Sequence, residues 1–492
     1  MTYIVAIDQS TSATKAVLFD VASRVVDRVA RDHRQIYPQA GWVEHDAEEI
    51  WHNVLAVLRE LANRNPERVA SAIALAITNQ RETVVVFDKQ TGRPLHHAIV
   101  WQCRRGEPIC QELIGAGHDE TVHVKTGLKL DTYFSGSKLK WLIDTRPDIR
   151  QKLTNGDALI GTIDTYLIYR LTKTEVFATD HTNASRTLLY DIGRLHWDEQ
   201  LCCLFTIPMR ALAEVRESFD QFGKTDADGA LPTKLCICGV MGDSQASMLS
   251  QGCYERGNCK ATFGSGTSIL LNSGDRLESS ERGAVSALAW VWRRRPTYAL
   301  EGIINYSSAT IAWLKDQLGL IDDPSQTAAL AQGVTDNGGV YFVPAFAGLS
   351  APYWRSNARA AIVGMSAHSR KEHIVRAALE SIAYQIRDVL EMMRLNGGVV
   401  PQVLFADGGP TCNEFLMQFT ADILGLELIV AEIPESSARG AAMAAMLGRG
   451  AMASFDELSS LSRTVRRFQP QMEAAAAKRL YSEWQIAVER VF

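Results

Sequence analysis

Short apolar runs and polar tips alternate along this chain, and their spacing predicts strands and helices in turn. Residues 3–7 are apolar, as are 16–19. Between them lies DQSTSATK, with Asp8 ending the first run and hydroxyls at Ser10, Thr11, Ser12 and Thr14. Two such runs around a small polar tip predict a β-hairpin. Asp46-x-x-Glu49 then opens a run with apolar residues at Ile50, Val54, Leu58 and Leu61, a capping box followed by one helical face. A buried strand is expected over 69–77, ending in Thr78-Asn79-Gln80-Arg81-Glu82-Thr83, with further strands over 84–88 and 98–101. A segment with Ser137 as candidate helix cap follows Tyr133, and polar runs at 161–166 and 182–186 carry no evident task. Residues 208–234 read as loops. Within them FGKT at 222–225 looks like the end of a Walker loop, but Ser218 stands where that motif needs glycine, so it is rejected. An apolar run at 235–240 leads into Gly242-Asp243-Ser244-Gln245-Ala246.

The opening pattern then returns. Residues 259–263 predict a strand, Gly264-Ser265-Gly266-Thr267-Ser268 a small tip, and 269–272 the return strand. Farther on come a strand over 341–346, a loop over 348–354, and a long helix from Glu372 ending at Asn396-Gly397-Gly398. A strand over 403–406 precedes Asp407-Gly408-Gly409-Pro410-Thr411-Cys412-Asn413 and a helix over 414–424. A last strand is expected over 428–430, and an Ala-rich helix over 437–448 reads as close packing. Strands alternating with helices imply an α/β layer architecture, duplicated, with domains over 1–250 and 251–492.

Bulk properties narrow the class. At 492 residues the chain exceeds one ordinary core. A net charge of −5 gives no electrostatic footprint for nucleic acid. No apolar stretch approaches a membrane span, and the N-terminus lacks the basic start of a signal peptide. Nine cysteines form no CxxC pair, and Cys236, Cys238, Cys202 and Cys203 sit in apolar contexts that read as core. A cytoplasmic, soluble, two-domain protein is expected.

Candidate chemistry gathers at the tips and strand ends. Hydroxyls, backbone N–H groups and Lys15 on the first tip suit a cluster of anionic oxygens, and Asp8 suits a hydrated divalent cation. A single polar tip is ordinarily just a loop; two, each opening one half of the chain, suggest phosphates gripped from both sides. Gly264 and Gly266 permit close backbone approach there. Arg81, a pure donor, beside Glu82, a pure acceptor, can fix a polyhydroxy compound, with Trp101 as an apolar wall. Taken singly, such a pair is commonly a surface ion pair and such a Trp commonly core. Asp243, after a strand and a glycine, is either a general base or a helix N-cap. Glycines 408 and 409 before a helix are a common nucleotide seat.

The stretches YIVAIDQSTSATKAVLFD, ITNQRET, AIVWQCRR, YFSGSKLKWLID, DHTNASRT, GDSQA, FVPAFAGLSAPYW and HIVRAALESIAYQIRDVLE, in this order, resemble the FGGY carbohydrate kinases, and among them the members acting on glycerol. The resemblance implies two actin-like ATPase (ribonuclease H-like) domains around a central cleft, with ATP and Mg²⁺ as cofactors. It implies Asp8 for hydrated Mg²⁺, and Thr11, Ser12 and Lys15 for the β- and γ-phosphates. Gly264 and Ser265 would form the second phosphate hairpin, with Ser308, Gly408, Gly409 and Asn413 on the adenosine side. It assigns Arg81, Glu82, Trp101 and Tyr133 to the polyol, with Asp243 as base.

Departures from the family pattern bear on specificity. Ser244 and Ser268 stand where glycerol-type members carry Gln and Phe, and Ser308 and Ala312 where they carry Gly and Gln. An absent amide bond costs about 1–3 kcal/mol and an absent aromatic wall roughly 1.5–3 kcal/mol. Such a pocket favours a polyol longer than glycerol, a tetritol or pentitol, or a ketose such as xylulose; NQRET and WQCRR favour glycerol itself. The basic Gly-rich loop used for sugar-bisphosphate feedback in some relatives is poorly matched at 226–234. A substrate-free nucleotide clamp would lack Asp243, Trp101 and Tyr133, and a nicotinamide dehydrogenase would need a GxGxxG. The family implies a homodimer or homotetramer with a small polyol or sugar as substrate.

Overall fold

In the opening strand Ile4 and Ala6 face one side of a sheet while Val5 and Ile7 face the other, the two-residue period of a strand buried on both faces. The computed structural model describes residues 2–278, 284–349, 352, 353, 355, 357–431, 435–461 and 465–492. They form two units. One is Met1–Gly252 with Ala287–Tyr298 and Pro434–Ser462; the other is Cys253–Ser286 with Ala299–Ile433 and Arg463–Phe492.

The first unit is built on a six-stranded sheet. Its order is Gln221–Thr225, Leu235–Gly242, Ala72–Asn79, Tyr3–Gln9, Ala13–Asp20 and Val25–Asp32. The opening hairpin pairs Asp8 with Lys15, while Tyr3–Gln9, Ala72–Asn79 and Leu235–Gly242 run parallel. Helix Ala47–Arg64 lays Ile50, Val54, Leu58 and Leu61 on the Val5/Ile7 face, and Asp46 caps it by accepting from the Glu48 N–H. Glu49 does not close a reciprocal box; it pairs with Arg34 instead. Helix Ser436–Gly448 covers the opposite face, its Ala438, Ala441, Ala442 and Ala445 against Ala6, Ala74 and Ala76. Small residues on both sides let the backbones close up: a Cβ at Gly239 would stand 2.3 Å from the Ala441 carbonyl oxygen.

The second unit repeats the plan. Its seven-stranded sheet runs Val285–Trp292, Arg295–Ile304, Thr267–Gly274, Asn258–Phe263, Val403–Asp407, Glu427–Ala431 and Val465–Phe468, although Ala287–Tyr298 groups with the first unit. From the antiparallel edge strand through two parallel strands to the hairpin, the order matches the first sheet. Helix Lys371–Gly397, ended by left-handed Gly398, and helix Glu414–Leu424 pack on it. Buried Asp388 accepts from Tyr481 Oη and Trp484 Nε1, pinning helix Ala474–Glu489.

Several sequence expectations need correction. The strand expected over 69–77 begins only at Ala72, because Pro66 starts a one-turn helix, Pro66–Ala70. The helix expected to be capped by Ser137 starts three residues earlier, at Ser135, with Phe134 in the cap position. The 208–234 region holds strands Glu214–Arg216 and Gln221–Thr225, so FGKT lies in an edge strand. The strand over 98–101 shrinks to Ala98–Ile99, and that over 341–346 to Tyr341–Val343. Val465–Phe468 is a further strand after 428–430. Of the loop 348–354, residues 350, 351 and 354 lie outside those described. All nine cysteines are free, and Cys203, expected in the core, is exposed.

Candidate functional site

In the first unit three parallel strands end side by side, bringing Asp8, Thr78–Asn79 and Gly242 to one sheet edge. The carboxyl ends of parallel strands are the usual ligand side of an α/β sheet. Asp8 is buried there, 3.5 Å from Lys15 Nζ, which also donates to Glu435 at 2.6 Å. Burial pushes the Asp8 carboxyl up to about 6; Lys15 pulls it down, and the Asp243 and Glu435 charges add to the rise. Glu435 holds left-handed backbone at the start of the Ala-rich helix and accepts also from Arg28 at 2.6 Å. Thr11 on the hairpin tip accepts from Trp101 Nε1 at 3.0 Å, and exposed Ser12 follows it.

The Arg81–Glu82 pair follows strand Ala72–Asn79. Arg81 Nε lies 3.3 Å from Asp243 Oδ1, and Arg81 also donates to Gln245. Glu82, in left-handed conformation, accepts from buried Arg186 at 2.6 Å, and Ser135 Oγ donates to its carbonyl. Trp101 and Tyr133 rings pack at 5.2 Å. Asp243 is the first residue of helix Asp243–Ser250, capped by Gly242 and not by Asp243 itself. A Cβ at Gly242 would stand 2.8 Å from the Arg81 side chain, which would have to shift to admit it. The Gly242 N–H donates to Thr182, whose hydroxyl donates to buried Asp180. Half-buried Ser244 sits next to Asp243, its N–H donating to the Asp243 carboxylate. These residues share one unit in three contact groups: Asp8 with Lys15, Thr11 with Trp101 and Tyr133, and Arg81 with Glu82, Asp243 and Ser244.

The second unit gathers Gly264, Ser265 and Ser308. The Ser308 hydroxyl donates to the Gly264 carbonyl at 2.6 Å, and the Ser307 and Ala309 N–H groups donate to the Ser265 carbonyl. A Cβ at Gly266 would stand 2.3 Å from the Ile304 carbonyl oxygen. Beside this tip opens a cavity of about 770 Å³ whose lining includes Ser308, Ala312, Gly409, Asn413, Thr327 and Leu379. Asn413 caps helix Glu414–Leu424 and donates to Thr327. Gly408, at φ 100°, brings the strand end against Phe263, where a Cβ would lie 1.9 Å from the carbonyl oxygen. Ser268 is apart from the cavity lining, on the return strand opposite Thr262, and its buried hydroxyl has no partner among the described residues.

Sequence reasoning missed Glu435, Arg186 and Lys138. Arg186 stood within the polar DHTNASRT run, and Glu435 immediately before a helix read only as packing. Lys138, in the stretch after Tyr133, is fully buried.

Profiles of the FGGY family of carbohydrate kinases match this chain twice, the N-terminal domain over residues 3–250 and the C-terminal domain over 259–448. The chain belongs to that family. This FGGY kinase is 45% identical to glycerol kinase 1 of Thermotoga maritima over 489 residues, 99% of either chain. It is 46% identical to a glycerol kinase of Carboxydothermus hydrogenoformans over 491 residues, covering 99% of this chain and 98% of that one. A solved glycerol kinase of Plasmodium falciparum with ADP matches it with a TM-score of 0.96 at 38% identity, covering 100% of this chain and 98% of that one. The FGGY kinase therefore has the α/β fold of that family, of the actin-like ATPase type. Among its described residues no helix is long and apolar enough to cross a membrane.

Proposed function

We propose that this kinase transfers the γ-phosphoryl group of ATP to a terminal hydroxyl of glycerol. The observation that carries this reading is that Arg81 pairs with both Glu82 and Asp243, while Trp101, packed on Tyr133, donates its backbone N–H to Thr83 of the same segment. Similarity to glycerol kinases along the whole chain supports it. Arg81 donates to substrate hydroxyls and Glu82 accepts from them, while the Trp101 and Tyr133 rings cover the C–H face. Asp243 takes the proton of the attacking hydroxyl as its oxygen bonds to the γ-phosphorus and ADP leaves. Arg81 orients one Asp243 oxygen and leaves the other for that proton.

Phosphoryl transfer depends on positioning and charge neutralisation. On the first unit, Lys15 and the hydroxyls of Thr11 and Ser12 suit the β- and γ-phosphates; on the second, the Gly264–Ser265 hairpin tip suits phosphate as well. Ser308, Gly409 and Asn413, which line the 770 Å³ cavity, seat the adenosine together with neighbouring Gly408. Asp8 suits Mg²⁺: its buried carboxylate is crowded by other carboxylates, and a cation that keeps most of its waters needs few protein ligands. Bound there, Mg²⁺ would neutralise phosphate charge. The chain works in the cytoplasm as a homodimer or homotetramer, with functional domains over 1–250 and 251–492.

A second reading, a tetritol, pentitol or ketose as substrate, draws on short Ser244 and on the partnerless Ser268 hydroxyl. Mg·ATP-dependent ADP release against glycerol, erythritol, threitol, xylitol, arabitol, dihydroxyacetone and xylulose separates the two. Glycerol should give the highest kcat/KM; a tenfold advantage for a longer polyol would replace this reading by the second.

A further inference from the structure

Lys138 is an ammonium in the interior with an unusual set of acceptors. It lies in the first turn of helix Ser135–Thr145, fully buried, and its Nζ donates to the carbonyls of Thr132 at 2.6 Å, Tyr133 at 2.8 Å and Phe134 at 2.9 Å. An ammonium has three N–H donors, so all are used on successive peptide groups. Burying a charge is costly, and a chain entering a helix ordinarily needs only a hydroxyl or water to satisfy its polar groups.

What the arrangement achieves is the placement of side chains around it. The carbonyls wrap about Nζ, and the Tyr133 ring between them is turned against Trp101. Phe134 packs under the Arg186 guanidinium that holds Glu82, and Ser135 donates to the Glu82 carbonyl. One short segment therefore fixes both the aromatic wall and the acidic side of the candidate polyol pocket, and Lys138 is its anchor.

We propose that Lys138 is a positioning residue for polyol binding: its ammonium fixes the backbone of 132–134 and thereby the Tyr133 ring against Trp101. The proposal rests on the reading that Tyr133 faces the polyol. Glu82, Asp131, Cys103 and Cys110 are the ionisable groups around Lys138. Burial pulls its ammonium down to about 8 against the pull of those neighbours. Loss of the proton above that pH would leave one carbonyl without a donor.

The test is steady-state kinetics of the full chain with glycerol and ATP. Lys138→Met should raise KM for glycerol about tenfold or more and leave KM for ATP within about twofold. In a Tyr133→Ala background the same substitution should raise KM for glycerol severalfold less than it does alone, because the ring it positions is gone and only the Glu82 side remains to be disturbed. In the unsubstituted protein kcat/KM for glycerol should fall above about pH 8 while kcat/KM for ATP at saturating glycerol does not. Equal rises in both KM values, or an undiminished effect in the Tyr133→Ala background, would overturn the proposal. Should Lys138→Met fail to fold, Lys138→Gln, which keeps two N–H donors, decides instead, and an unchanged KM for glycerol there would overturn the proposal equally. Absence of polyol turnover by the unsubstituted protein would instead overturn the reading beneath it.

Discussion

The two sheets share a strand order, yet their hairpins are made of different chemistry. The first carries buried charge: Asp8 opposite Lys15, with Glu435 and Arg28 completing a chain of ion pairs. The second carries none at its tip; Gly264 and Ser265 are stitched by peptide hydrogen bonds to the start of helix Ser308–Asp316, and the Gly266 carbonyl accepts from Gly264 within the tip. A repeated framework has thus been filled with charge in one half and with exposed peptide groups and a cavity in the other. In the proposed reaction the first half handles proton and phosphate charge, and the second cradles the nucleotide by shape.

That division can be broken most severely at Asp243. Asp243→Asn should lower kcat by roughly 10²–10⁴-fold with KM for ATP little changed; retained activity would mean the charged half lacks the base. Gly408→Ala attacks the other half. Its Cβ would meet the Phe263 carbonyl in a left-handed backbone, so a loss of about 2–4 kcal/mol is expected, read as a fall in thermal midpoint. Gly409→Ala, where a Cβ meets nothing, is the control. Glu435→Gln keeps the shape but weakens the hold on Lys15. It should raise KM for ATP about fivefold, the difference between a charge-assisted and a neutral hydrogen bond.

A last effect concerns acid. His45, in the first unit, is pulled down to about 3 by burial and by nearby His33, so the folded state keeps it neutral. The unfolded chain takes up that proton below about 6.5. Stability from this group is therefore present above pH 6.5 and lost as pH falls toward 3. The unsubstituted protein should lose thermal midpoint relative to His45→Gln across that window, and parallel midpoints would refute it.

Features set by local sequence were legible. Both polar-tipped hairpins, the strand ends carrying Asp8 and Arg81, and the strand–helix junction at Asp243 follow from runs of a few residues. Features set by distant pairing were not. Glu435 meets Lys15 across 420 positions, and Arg186 meets Glu82 across 104, separations that no periodicity records. Edge strands Gln221–Thr225 and Val465–Phe468 were missed because an edge needs only one buried face, and their polar residues read as loop. Ser137 looked like a cap, but the helix starts earlier, where Lys138 has already claimed the carbonyls of 132–134.

The helix Ser436–Gly448 that seals the Ile4/Ala6 face has a consequence for how the chain is made. The last parallel strand of that sheet leaves the ribosome at Gly242, but its cover follows roughly 190 residues later, on the order of 10–40 s at ~5–20 residues per second. Through that interval the face of Ile4, Ala6, Phe19 and Ala76 waits bare. A nascent chain stalled in the second half is therefore a sticky object, and a fragment ending near residue 252 is a poor unit for separate expression.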